Sequence, residues 1–294
     1  MTKTPAMEAP SWTRMVCALT GMVLLSVPAL AQRGGSSSGA PPMRAATPFE
    51  EFADQLKLDN KSQLPPVQLI MREGAKNASP IAAELLQQRQ QLINLELANN
   101  AAAKPPVLAT YSAAATRMAV AEVGAFAQVF GLLKPNQHNR APEAFDRMAG
   151  FFFPVTQPGR SGRGPTGVVL GRLDILVGLF GLSGDQKKDI KAWFDAAHKA
   201  MARTRTDLTS TRAELGAAIQ AGNNQAAIDI AATAYAMHVT MMTDAEMTVL
   251  ARLIQRLEPA QRENRAAVAT TFGLMRGMFV NNGKWNIIPD GRSY

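Results

Sequence analysis

Residues 182–215 read LSGDQKKDIKAWFDAAHKAMARTRTDLTSTRAEL. Within this stretch Ile190, Phe194, Ala197, Met201, Thr204, Leu208, Thr211 and Leu215 recur alternately four and three residues apart. That spacing places one narrow apolar seam along a single long helix and favours packing against an antiparallel neighbour. The helix has a start signal in Leu182-Ser183-Gly184-Asp185-Gln186. Ser183 at the N-cap accepts from a free backbone N–H, Gln186 reaches back to the N-cap N–H, and Leu182 packs before the cap. The Ser183 hydroxyl is expected to contribute about 1 kcal/mol, and Gln186 less. Ala221-Gly222-Asn223-Asn224 is a stop and a turn. Residues 225–256 then predict a second long helix, 258–279 a third, and 168–180 a short apolar lead-in. The expected fold is all-α, with about four helices and no sheet in this unit.

The first half of the chain carries the same pattern. At an offset of 123, Gln63 meets Gln186, Lys76 meets Lys199, Leu85 meets Leu208, Arg89 meets Arg212, Leu92 meets Leu215 and Asn100 meets Asn223. At an offset of 124, Tyr111 meets Tyr235, Thr116 meets Thr240, Met118 meets Met242, Glu122 meets Glu246, Leu133 meets Leu257, Pro135 meets Pro259 and Gln137 meets Gln261. Two blocks in constant register with one loop-sized insertion point to an internal repeat. The seam becomes Val67, Met71, Gly74, Ala78, Ile81, Leu85, Gln88 and Leu92. The expected domains are a first unit at 48–153, a linker at 154–167 with Pro158-Gly159 and Gly164-Pro165, a second unit at 168–279, and a tail at 280–294.

The cap motif also recurs. Leu257-Glu258-Pro259-Ala260-Gln261 and Leu133-Lys134-Pro135-Asn136-Gln137 place Pro at N1, where its missing N–H is harmless. Leu58-Asp59-Asn60-Lys61-Ser62-Gln63 is one residue longer, and Pro65-Pro66 spoil a regular first turn. This Leu-[Ser/Thr]-x-x-Gln pattern, twice per unit, resembles the LTxxQ-motif family of periplasmic helical proteins, which includes the Spy and CpxP proteins. The resemblance covers residues 50–152 loosely and 166–279 more clearly, and only Ser183 keeps the motif hydroxyl. It implies long antiparallel helical hairpins, a cradle-shaped antiparallel dimer built here as a pseudo-dimer within one chain, and ATP-independent binding of non-native proteins.

An export signal accords with that family. Lys3 and Arg14 precede an apolar stretch from Val16 to Val27, and Pro28 leads into Ala29-Leu30-Ala31 before Gln32. Residues 1–31 are therefore expected to be cleaved after Ala31, giving a periplasmic chain with a Gly/Ser-rich leader at 32–47. The single Cys, Cys17, lies inside the signal, so no disulfide framework or thiolate metal site is expected. Composition agrees with a helical core: 47% of residues are hydrophobic and only 6% aromatic. The net charge is +8, yet residues 48–153 carry ten basic and ten acidic side chains, and 168–279 carry 13 and 11. The excess sits in loops, which argues against a nucleic-acid face. No later segment is long and apolar enough to suggest a membrane span.

Catalytic chemistry is not expected, nor is a cofactor. His138, His198 and His238 do not form a His-x-x-x-His pair, and Ser183 and Ser210 have no visible His–Asp partners. Acidic residues read as helix-surface charges, and Arg203, Arg205 and Arg212 as a solvated face. Met237, His238, Met241 and Met242 form the best metal constellation, one that suits Cu(I). Core packing is the expectation for them, because Met fills irregular cores and this face coincides with the apolar seam. Trp285 is expected to dock on a groove. The functional expectation is a periplasmic chaperone or envelope-stress binding protein that holds unfolded or partly folded envelope proteins. Metal sensing or buffering and a purely structural envelope role are the alternatives, and further self-association is left open.

Overall fold

The computed structural model describes residues 47–153, 170–222, 224–279 and 284–286. The export signal, nearly all of the leader, the linker and most of the tail lie outside the described residues. Those residues form ten α-helices and contain no strand. In chain order they are α1 (Pro48–Leu56), α2 (Leu64–Leu97), α3 (Lys104–Phe130), α4 (Ala141–Arg147), α5 (Arg172–Phe180), α6 (Gly184–Ala200), α7 (Ala202–Gln220), α8 (Gln225–Arg256), α9 (Pro259–Arg262) and α10 (Arg265–Leu274). Short 3-10 turns at Ala101–Ala103 and Pro135–Arg140 precede α3 and α4.

The local signals are visible at the helix ends. Ser183 Oγ accepts from Gln186 N at 3.2 Å, and Gln186 Oε1 accepts from Ser183 N at 2.9 Å. α1 and α5 are each nine residues long and end on a left-handed residue, Lys57 at φ 51° and Gly181 at φ 60°. Asn224 caps α8 by accepting from Ala227 N. Asn264 does the same at Ala267 N, which divides the expected 258–279 helix into α9 and α10. The seam helix is divided too. It breaks at Met201 (ψ 7°), and the His198 carbonyl bonds the Arg205 guanidinium at 2.7 Å. A side chain that takes a ladder carbonyl is an ordinary cause of such a bend.

The seam positions are buried or half-buried in both halves. Gly74 has a steric reason: a Cβ there would lie 2.5 Å from Phe152 Cζ, so the ring uses the gap in α2. Packing does not divide at the linker. α3 and α8 form the centre, with α2 against both and α7 against α8, while α4 of the first half packs on α7 of the second. One apolar cluster joins Phe52, Phe126, Phe145 and Phe152 to Leu215, Ile219, Ile228 and Ala232 from the tip of the α7–α8 hairpin. The other joins Leu176, Ile190, Phe194 and Leu250 to Leu92, Ile93 and Leu97 from the tip of the α2–α3 hairpin. Each hairpin thus buries its tip in the opposite half, and apolar area removed from water is the main term holding the halves together.

Candidate functional site

The motif glutamines meet in pairs. Gln63 and Gln137 exchange amide hydrogen bonds at 2.9 and 3.1 Å, and Gln186 and Gln261 at 2.9 and 3.3 Å. Each pair ties three helix ends together. Gln137 Nε2 donates to the Leu56 and Lys57 carbonyls at the end of α1, and Gln63 Nε2 to the Leu132 carbonyl after α3. In the second half Gln261 Nε2 donates to the Phe180 carbonyl at 2.9 Å, and Gln186 Nε2 to the Arg256 carbonyl at 3.1 Å. The oxygens accept backbone N–H groups: the N-cap Lys134 N and Glu258 N on the proline-bearing motifs, and Asp59 N, in the turn before α2, on the first. Leu133, Leu182 and Leu257 are buried beside them, as are Gln63, Gln137 and Gln186. Helix termini otherwise leave these carbonyls and amides unpaired. The glutamines therefore do more than the half-box expected of Gln186, and Asp59, not Ser62, stands where Ser183 stands. Asp59 Oδ1 accepts from Lys61 N, Ser62 N and Ser62 Oγ. The extra residue in that loop hid the equivalence.

The expectation of a solvated arginine face fails for two of its three members. Arg203 is exposed on the surface. Arg205 is buried, donating to the His198 and Phe279 carbonyls. Arg212 is buried and pairs with Glu122 at 2.5 Å, donates to the Phe145 carbonyl at 2.8 Å and lies over the Phe145 ring at 3.9 Å. Glu122 also accepts from Gly150 N at 3.0 Å. Its counterpart is Arg89 with Glu246 at 2.8 Å, both side chains almost fully enclosed. Glu122 and Glu246 are thus not helix-surface charges. Each pair runs between halves: Arg212 of the second half holds Glu122 of the first, and Arg89 of the first holds Glu246 of the second. Burial pushes the Glu246 carboxyl above its ordinary range, with Arg89 as the main opposing charge. Burial works most strongly against the Arg212 charge as well, but Glu122, with Tyr235 and Asp146, outweighs it and leaves the guanidinium above its ordinary value.

The methionine face departs from its expected packing. Met242 and Met247 are buried, but Met237 and Met241 are 50% and 46% exposed. The four residues of the copper-type constellation are therefore split between core and surface, and His238 is half-buried with no bonding partner at Nδ1 among the described residues. The exposed pair continues a row on α8 that begins at Ile230, which is 74% exposed. Ile230, Met237 and Met241 lie seven and four residues apart, so they share one face. The seam was expected to take in this face; α2, α3, α6 and α7 pack on α8 but leave Ile230, Met237 and Met241 exposed. Leu69 on α2 is also exposed, at 55%.

Trp285 is buried against Phe194, edge to face at 4.8 Å, and its Nε1 donates to Asp195. Arg172 donates to the Leu274 and Trp285 carbonyls, and Arg172 N bonds the Asn286 carbonyl. The expected groove docking of this tryptophan is seen. No helix among the described residues is long and apolar enough to cross a membrane, and no three His, Cys, Asp or Glu among them are grouped to hold a metal ion. No protein-family model, curated protein or solved structure matches the chain.

Proposed function

We propose that this chain is a periplasmic, ATP-independent holding protein for non-native envelope proteins, built from two tandem Spy/CpxP-like units that act as a covalent pseudo-dimer. The tandem reading is supported by the helix order, which runs short, long, long, short in each half, with the second half's first long helix bent into α6 and α7. It is supported further by the two reciprocal glutamine pairs and the two ion pairs, because the members of one pair stand at the repeat offsets of 123 and 124 from the members of the other. The observation that carries the holding function is the row Ile230, Met237 and Met241, large apolar side chains open to solvent on one face of α8. Flexible thioethers suit a surface that accepts many partners, because they repack at little cost. Export rests on residues 1–31, and N-terminal sequencing of the exported chain should begin at Gln32.

The functional test is light scattering of a denatured model protein with and without the mature chain. The wild type should suppress aggregation without nucleotide. The Ile230→Ser/Met237→Ser/Met241→Ser variant should melt close to the wild type, since exposed substitutions shift stability by only about 0.5 kcal/mol each, yet protect less. Absence of protection by the wild type would defeat the reading. Full protection by the triple variant would remove this row as the client surface.

A further inference from the structure

Arg276 follows α10, and its guanidinium carbon lies 3.3 Å from the centroid of the Phe153 ring, a first-half residue. Its Nη1 and Nη2 are buried and meet no hydrogen-bond acceptor among the described residues. The nearby carboxylates are engaged elsewhere: Glu246 accepts from Arg89, and Glu122 from Arg212 and Gly150 N. Arg89 adds to the imbalance. Its Nη1 bonds Glu246 and the Tyr111 hydroxyl lies beside the guanidinium, yet Nε and Nη2 are buried without a hydrogen bond of their own. It is the strongest like charge acting on Arg276. Desolvation, with Arg89, holds Arg276 down to about 9.

A buried cation with no partner is among the most expensive arrangements in a protein interior. The aromatic face under Arg276 offsets part of that cost but offers nothing to its N–H groups. A water molecule would satisfy hydrogen bonds and leave the charge. Two guanidiniums with free N–H groups match a compact oxyanion, whose paired oxygens fit the planar fork and whose charge cancels the excess. Arg276 as a residue is only half-buried, so the position is within one side chain of solvent. We propose that Arg276 and Arg89 bind a small inorganic oxyanion of the phosphate or sulfate type, which fastens the second half to Phe153 of the first.

The test uses the full mature chain, melted at neutral pH in phosphate or sulfate and in chloride at matched ionic strength. Both oxyanions should raise Tm with the logarithm of their concentration, as mass action requires, and beyond chloride. Arg276→Met should abolish that response and melt no lower than the wild type in chloride, because it removes an unpaired buried charge. Arg203→Met, at an exposed position, should keep the whole response. Calorimetric titration of inorganic phosphate into Arg276→Lys should show at least about tenfold weaker binding, since lysine lacks the fork; this decides the matter if Arg276→Met does not fold. An oxyanion response that survives in both Arg276 variants, or a wild type that responds to phosphate as it does to chloride, would overturn the proposal.

Discussion

The two ion pairs between the halves use the same residue types at matching positions but are not built alike. Around Arg212 and Glu122 the protein supplies nearly everything a buried pair needs. The guanidinium has a carboxylate, the Phe145 carbonyl and an aromatic face, and the carboxylate has a backbone N–H besides. Around Arg89 and Glu246 there is one hydrogen bond between the charges, the buried Tyr111 hydroxyl beside the guanidinium, a more distant ring, Phe272 at 5.5 Å, and two further arginines, Arg172 and Arg276, whose charges bear on Glu246. Desolvation penalises both sites, so the surrounding hydrogen bonds decide how far each pair favours the fold. The first pair acts as a fastening. The second is a region of surplus positive charge in which each single interaction is replaceable.

The largest expected effect separates the two. Arg212→Met should destabilise the chain by about 3–5 kcal/mol, the usual result of leaving a buried carboxylate without its cation. Arg89→Met should lose less, about 1–3 kcal/mol, because Arg172 and Arg276 remain near Glu246. Urea unfolding of both variants measures the difference, and equal losses would break the comparison. Arg212→Met with Glu122→Leu should recover much of the loss, since an apolar pair of similar volume often replaces a buried ion pair without penalty.

The glutamine pairs come next. Gln186→Ala should cost about 1–3 kcal/mol by leaving buried amides and carbonyls unpaired. Ser183→Ala should cost about 1 kcal/mol, so thermal melts should rank the glutamine above the hydroxyl. A smaller, pH-dependent effect belongs to the docked tail. Burial raises the Asp195 carboxyl, but hydrogen bonds from Lys191 and Trp285 outweigh it and hold it below its ordinary 3.8. A depressed folded pKa gives stability that is present above 3.8 and lost as pH falls through the lower folded value. Trp285 fluorescence should therefore report docking at pH 5 and weakening only below 3.8, a step that Asp195→Ala removes. The smallest effect is at the divergent cap. Asp59→Ala should lower the melt more than Ser62→Ala, because Asp59 gathers the three hydrogen bonds there.

Helical class, the seam from Val67 to Leu92 and from Ile190 to Leu215, and the extent of α8 were legible because they depend on periodicity and local caps. The 123 offset of Arg89 and Arg212 was legible, as was the 124 offset of Glu122 and Glu246. Their pairing was not, because a charged residue on a helix carries no signal of which face another helix will cover. The same gap explains Met237 and Met241. Periodicity marks a face as apolar but not as covered, and here four helices pack on α8 yet leave Met237 and Met241 exposed. Asp59 escaped because one extra residue moved the cap four positions from Gln63 in place of three.

The account rests on the halves being one interlocked body, with each hairpin tip buried in the other half. Hydrogen exchange read by mass spectrometry along a urea series tests this most directly. The protected amides of residues 64–130 and 184–256 should open together in one cooperative transition, and Arg212→Met should shift both segments equally. Separate transitions for the two segments, with the Arg212→Met shift confined to one, would contradict it.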